Sequence, residues 1–349
     1  MRKCLSILFV IILLLVHIQP VSADTFTPPE VPESGSAYMP DHPTSFGEGL
    51  WYIINTAILA IKPSLAEAVG LCSTIIALSM LTTLLNGISS KTERILQIAF
   101  TVGLGVLLLQ TTTTLVNKGC NTVLTISEYG KLLIPVMTAV LAAQGSMTAS
   151  TALYSGTILF ATFLTNLITK LIIPMIYFFL CLAIGNSAVG ENTLNKMQNL
   201  IKWLITWILK TVLYIFTGYI SITGVVSGTV DVSMIKATKL TISGTVPVVG
   251  SILSDASESI LVSAGIMKNT VGIYGVLAIA ATFIYPFLQI GVQYLLLKFT
   301  AAICSIWSGK SLTGLLQGFT TAMGFILAII GAISLLLFIS LVCMLKGGI

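Results

Sequence analysis

Four stretches of this chain stay apolar for longer than the roughly 20 residues a helix needs to cross a bilayer. They are Leu65 to Ile88, Ile95 to Val116, Trp203 to Val230 and Gly324 to Leu345. Inside a hydrocarbon layer every backbone N–H and C=O must find its partner within the protein, so only helices and closed barrels can span it. Barrel strands are short and alternate apolar with polar residues, and these runs do neither. Charged residues make up only 8% of the chain, against about 25% in a soluble domain. The expected fold is therefore all-α: a polytopic helical membrane protein.

The first 23 residues have the form of an export signal. Arg2 and Lys3 supply the charge, Leu5 to Val16 the apolar stretch, and Val21-Ser22-Ala23 the small-residue cleavage site. The competing reading is an uncleaved first helix, since signal and anchor differ mainly in length. Cleavage would leave the mature N-terminus outside the cytoplasm. Residues 24–49 hold Pro28, Pro29, Pro32, Pro40 and Pro43, with Asp24, Glu30, Glu33, Asp41 and Glu48 and neither Lys nor Arg. This composition predicts a flexible acidic exported tether. The polytopic domain then occupies 50–349. The formal net charge of +5 is ordinary for a membrane protein with basic cytoplasmic loops and calls for no nucleic-acid partner. The six cysteines are scattered, with neither a metal spacing nor a disulfide framework.

Along the domain, the aromatic-led segment Leu50 to Ile61 suits the outer interface. The loop Ser89-Ser90-Lys91-Thr92-Glu93-Arg94 suits the cytoplasmic side. Beyond Val116 the runs become irregular. Leu132 to Ala143 is too short to span, and Gln144-Gly145-Ser146 makes a polar break. Met147 to Ile168 and Leu171 to Ala183 follow, with Asn192 to Lys202 polar and amphipathic ahead of the third long run, and Asp231 to Thr241 after it. The run after Val271 is interrupted at Pro286. Pro135, Pro174 and Pro286 are expected helix breaks or kinks. The separation from Pro135 to Pro174 equals that from Pro247 to Pro286. An internal repeat of broken or re-entrant helices, about 91–190 and 203–307, would explain that match, and coincidence among four prolines is the alternative.

Charge is rare enough that its placement is informative. Asp255, Glu258 and Lys268 gather in one stretch between apolar runs. Ser254 and Asp255 suit a helix N-cap, Glu258 its first turn and Lys268 its C-terminal end. Either the element re-enters the membrane and lines a polar path, or it lies at the interface with its charges in water. Lys170, Lys210 and Lys298 stand in apolar surroundings and admit the same pair of readings, lining a conduit or snorkelling to a headgroup. Gly314 and Gly318, like Gly224 and Gly228, fit a GxxxG spacing for close internal helix packing.

Catalytic constellations are missing. The two histidines, His17 and His42, lie in the signal and the tether, which leaves no His-dependent hydrolase and no HExxH metalloprotease in the domain. The stretch from Cys304 to Ser311 ends like a P-loop, but it has Cys where the first Gly belongs and follows a membrane helix. No catalytic, cofactor-binding or metal residue is assigned, and the chain reads as a non-enzyme.

Within the charged stretch, Pro247 to Gly250, Asp255 to Ser259 and Lys268-Asn269-Thr270-Val271-Gly272-Ile273-Tyr274-Gly275 resemble the stage III sporulation protein AE family of endospore-forming Firmicutes. That family carries P-V-[LV]-G, D-A-[ST]-[DE]-[ST] and K-N-T-V-G-I-x-G in this order. The resemblance marks Pro247, Gly250, Asp255, Glu258, Lys268, Asn269, Gly272 and Gly275 as candidate functional residues. It implies a permease-like membrane subunit of the sporulation channel joining mother cell and forespore. Such a subunit would sit in the mother-cell-derived membrane with other stage III A proteins and a partner ATPase. The acidic tether here is shorter than the family's exported region. A self-contained secondary transporter, with Asp255 and Glu258 as its coupling site, is one alternative. A non-conducting scaffold is the other.

Overall fold

A computed structural model describes residues 28–41, 45–85, 90–143, 147–189, 192–226 and 270–346. Every regular element among them is helical. In chain order these are α1 (Glu33–Ser36), α2 (Phe46–Ala60), α3 (Lys62–Leu85), α4 (Ser90–Ala143) and α5 (Met147–Leu167). A π-helical turn (Ile168–Ile172) then leads into α6 (Ile173–Val189), α7 (Asn192–Val226), α8 (Thr270–Cys304) and α9 (Lys310–Lys346). Six described stretches are long and apolar enough to cross a membrane, so the protein is an all-α polytopic membrane protein.

The helices are longer than the sequence suggested, because they run through features expected to end them. Leu132 to Ala143 is no separate piece but the last part of α4, which has 54 residues. At about 1.5 Å per residue α4 is about 80 Å long, well beyond a hydrocarbon core of about 30 Å. It persists across the polar stretch around Asn117 and Lys118 because its buried stripe never stops. Leu115, Val116, Val123, Ile126, Tyr129, Leu133 and Met137 recur at helical spacing and are all buried. Asn192 to Lys202 likewise belongs to α7, and the run on either side of Pro286 forms the single helix α8.

Pro135 lies inside α4 and Pro286 inside α8, so neither breaks its helix. A proline deletes one backbone bond, and the packed turns around it hold the rest. Around Pro286, Phe283 and Phe287 are buried with ring centroids 4.8 Å apart. Pro174 is accommodated differently, in the first turn of α6 directly after the π-turn. There the Ile173 N–H reaches back five residues to the Ile168 carbonyl, a wide turn of the kind that absorbs a local irregularity. The pairing that the repeat requires involves Pro247, which lies outside the described residues.

Cross-helix contacts give each helix its direction. Ser64 pairs with Gln289 and Ser79 with Cys304 at the same separation of 225 residues, so α3 and α8 run parallel. Lys118 meets Gln289, and Leu133 lies against Gly275, so α4 is antiparallel to α8. Gly119 faces Ile326 and Gly130 faces Leu337, making α4 and α9 parallel. Thr157 bonds Ser340 while Phe179 meets Phe325, which sets α5–α6 antiparallel to α9. Tyr219 bonds the Ala152 carbonyl and Asn186 bonds Gln198, which sets α7 antiparallel to α5–α6. The six long elements therefore alternate up and down. As a consequence, α7 ends and α8 begins at the same end of the bundle.

The centre is the hairpin α8–α9. About three-quarters of the most apolar stretch of each of these helices is buried by the protein itself, 72% and 78%, against 22% for α3 and 33% for α7. The N-terminal segment also differs from a free tether where it is described. Gly35 is buried against Thr282 of α8, and Tyr38 stacks on Tyr285 at 5.2 Å. Val31, Tyr38 and Met39 pack on the core, enough apolar surface to dock a segment whose prolines and acids suggested none.

Candidate functional site

The family-like stretch meets the described structure at its C-terminal end. Pro247, Gly250, Asp255, Glu258, Lys268 and Asn269 lie outside the described residues. Gly272 and Gly275 occupy the first two turns of α8, and both are buried. At Gly275 the reason for glycine is visible: an added Cβ would come within 2.6 and 2.7 Å of the two methyl carbons of Leu133 on α4. The glycine lets α4 and α8 approach closely, the use small residues serve in membrane bundles.

About 21 Å further along α8, counting 1.5 Å per residue, a polar node crosses three helices. The Lys118 Nζ of α4 donates to Gln289 Oε1 of α8 at 2.5 Å. Gln289 Nε2 in turn donates to Ser64 Oγ, in the first turn of α3, at 3.0 Å. The same ammonium lies 5.5 Å from the centroid of the Tyr285 ring, one turn before Gln289. Tyr285 carries Tyr38 stacked on it, with the rings 18° from parallel. Burial raises the Tyr38 phenol pKa, with a smaller push from Tyr285, so Tyr38 remains neutral at ordinary pH. Lys118 is thus a half-buried cation between an amide oxygen and an aromatic face. A hydrogen bond of the first kind is worth about 1.5–3 kcal/mol and a cation–aromatic contact about 0.5–2 kcal/mol. Neither neutralises the charge. Asn117, next to Lys118, accepts from the Tyr177 hydroxyl of α6 at 3.1 Å, extending polar contact toward α6.

The lysines singled out in the sequence stand elsewhere. Lys170 and Lys298 are exposed on the outside of the bundle, with Lys298 lying over its own helix's Tyr294 at 5.6 Å; Lys210 is half-buried on α7. Exposure of the first two matches snorkelling. Lys118 was not among the residues that the sequence singled out, because it lies just past the apolar run that ends at Val116. The signal that finds it is the buried periodicity on both sides, which puts an isolated charge in mid-helix. The Gly314/Gly318 pair packs internally as expected. A Cβ at Gly318 would lie 2.6 Å from the Ala183 Cβ of α6, and one at Gly314 would lie 3.6 Å from Ser187 Oγ. The P-loop-like stretch forms the end of α8, a turn and the start of α9, a setting with no strand before it.

Comparisons with known proteins agree with the sequence motif. Residues 47–348 match the family described as stage III sporulation protein AE. A relative of that name from Bacillus subtilis (strain 168) is 26% identical over 234 residues, which cover 67% of this chain. The match spans 58% of the relative's length. No solved structure matches. With the family match running through α2 to α9 and including the Gly275 contact, the chain belongs to the stage III sporulation protein AE family.

Proposed function

We propose that this protein is a non-enzymatic, permease-like subunit of the sporulation channel complex between mother cell and forespore, needed for late forespore development. The observation that carries the reading is the Lys118–Gln289–Ser64 node. It is a charged, hydrogen-bonded crossing of three helices, half-buried beside a largely apolar core. Ionisable groups are expensive in such a setting and mark paths for polar solutes or ions. A scaffold needs no such group, since close packing at positions like Gly275 and Gly318 assembles helices on its own.

In this reading the protein lies in the mother-cell-derived membrane around the forespore, with its mature N-terminus outside the cytoplasm. The bundle end where α3 gives way to α4 then faces the cytoplasm. The opposite end, where α7 stops and α8 starts, faces the exported side. Energy comes from a partner ATPase, and the other stage III A membrane proteins complete the conduit.

Deleting the gene in its host, followed by microscopy and a late forespore reporter, tests the role. Engulfment should finish and the forespore should then stall. Normal spores combined with a defect in solute uptake during growth would favour a self-contained transporter instead. Substituting Asp255, Glu258 and Lys268 with neutral residues separates conduit from scaffold: a conduit assembles but fails to pass cargo, whereas a scaffold either tolerates the changes or falls apart.

A further inference from the structure

The exposed residues of α7 change character along its length. From Asn195 to Lys202 six side chains are exposed, and four of them, Asn195, Lys196, Asn199 and Lys202, are polar or charged. Beyond Lys202 the exposed positions are Trp203, Trp207, Tyr214, Ile215, Gly218 and Ile222, none of them charged. Trp203 is 58% exposed and Trp207 52%, and their rings stack with centroids 6.1 Å apart. Tryptophan and tyrosine favour the boundary between hydrocarbon and water, where the apolar ring and its polar N–H or O–H both find suitable surroundings.

Opposite this face runs the buried stripe that packs α7 on the bundle: Ile205, Leu209, Val212, Phe216 and Ile220. Seven residues bring a helix back to nearly the same direction, so Lys196, Trp203 and the half-buried Lys210 share the outward side. The lysines of α7 have no counter-charge around them. α7 holds Lys196, Lys202 and Lys210 and neither Asp nor Glu. The helices packed against it, α5, α6 and α9, hold no acid either. Beyond Glu128 no described residue is acidic. Exposed cations and amides next to a tryptophan pair, on a helix long and apolar enough to cross a membrane, match one partner chemistry. It is a lipid headgroup with a net negative charge, whose phosphate meets the ammonium groups while its acyl chains continue past the rings.

We propose that the first part of α7 is a docking surface for anionic phospholipid, in which Lys196 and Lys202 bind headgroup phosphates and Trp203 and Trp207 sit at the edge of the hydrocarbon. Lys298, also exposed, differs from them: its ammonium already lies 5.6 Å from the Tyr294 ring of its own helix. Because the long elements alternate in direction, α7 starts at the same end of the bundle as α4. With that end in the cytoplasm, the lipids bound are those of the inner leaflet. The inference needs only a bundle seated in a bilayer and does not depend on the permease reading.

The test is thermal unfolding of the purified full-length chain in non-ionic detergent micelles that carry either phosphatidylglycerol or phosphatidylcholine. Phosphatidylglycerol should raise the midpoint by about 3 °C over phosphatidylcholine, and high salt should shrink that gain. The double variant Lys196→Gln, Lys202→Gln should match the wild type in phosphatidylcholine and lose most of the gain. The charge-keeping pair Lys196→Arg, Lys202→Arg should retain it, as should Lys298→Gln. Equal midpoints in the two lipids would overturn the surface, the result expected if an acidic protein covers this face instead. An undiminished gain in the Gln pair would overturn it too, as would the same gain from inorganic phosphate added to phosphatidylcholine micelles. A second measurement avoids the lysine variants altogether. Brominated phosphatidylglycerol should quench tryptophan fluorescence more than brominated phosphatidylcholine does, and Trp203→Phe combined with Trp207→Phe should abolish the difference; a difference that survives would place the lipid elsewhere. None of these readouts involves solute passage, so their failure leaves the permease reading untouched.

Discussion

Glycines at the centre of the bundle and glycines on its rim sit in helices of similar composition, yet their surroundings are opposite. Gly318 of α9 and Gly275 of α8 each face another helix so closely that a single added carbon would lie within 2.7 Å of it. Gly103 on the outer face of α4 and Gly218 on α7 have nothing within 4 Å. The inner glycines let their helices come near, Gly275 in the α4–α8 pair that also carries Lys118 and Gln289, and Gly318 in the α9–α6 pair. The outer ones only weaken their own helices. A glycine-rich membrane sequence therefore mixes two kinds of position that composition cannot separate.

The same substitution should have opposite effects at the two kinds of site. Gly318→Ala is expected to cost about 1–3 kcal/mol, because its neighbour is the Ala183 Cβ, fixed to the backbone and unable to swing aside. Thermal unfolding in detergent should show the loss directly. Gly275→Ala should cost less, about 1 kcal/mol, since the opposing Leu133 methyl groups end a flexible side chain that can shift. Gly103→Ala should instead gain up to about 1 kcal/mol, the helix-propensity difference in an exposed position. If Gly103→Ala destabilises by as much as Gly318→Ala, the outer face of α4 is itself a contact surface and the contrast fails. Smallest of all, Lys298→Met on the exposed face of α8 should change the midpoint by no more than about 0.5 kcal/mol would.

What the sequence made legible and what it hid divide along physical lines. The helical membrane class was plain, because uniformly apolar runs of that length have few other uses. Helix boundaries were not, because proline and polar clusters were read as interruptions. Pro135 and Pro286 sit within continuous helices, and only at Pro174 does the backbone adjust, through a π-turn. Local propensity lost to the buried stripe on either side. Lys118 was hidden for the same reason, since the apolar run stops at Val116 while α4 continues to Ala143. In the family-like stretch the glycine at 275 acquires a packing role. The acids and the lysine that first drew attention to that stretch fall outside the described residues.

The most direct test of the account is Lys118→Met, which keeps the length of the side chain and removes its charge, expressed from its own promoter in a strain lacking the gene. The account predicts that the variant accumulates in the membrane at a normal level while forespores stall after engulfment, as they do in the deletion. Spores formed at the wild-type frequency would contradict it. They would reduce the Lys118–Gln289–Ser64 node to a structural contact and leave the family's sporulation role without the polar path proposed here.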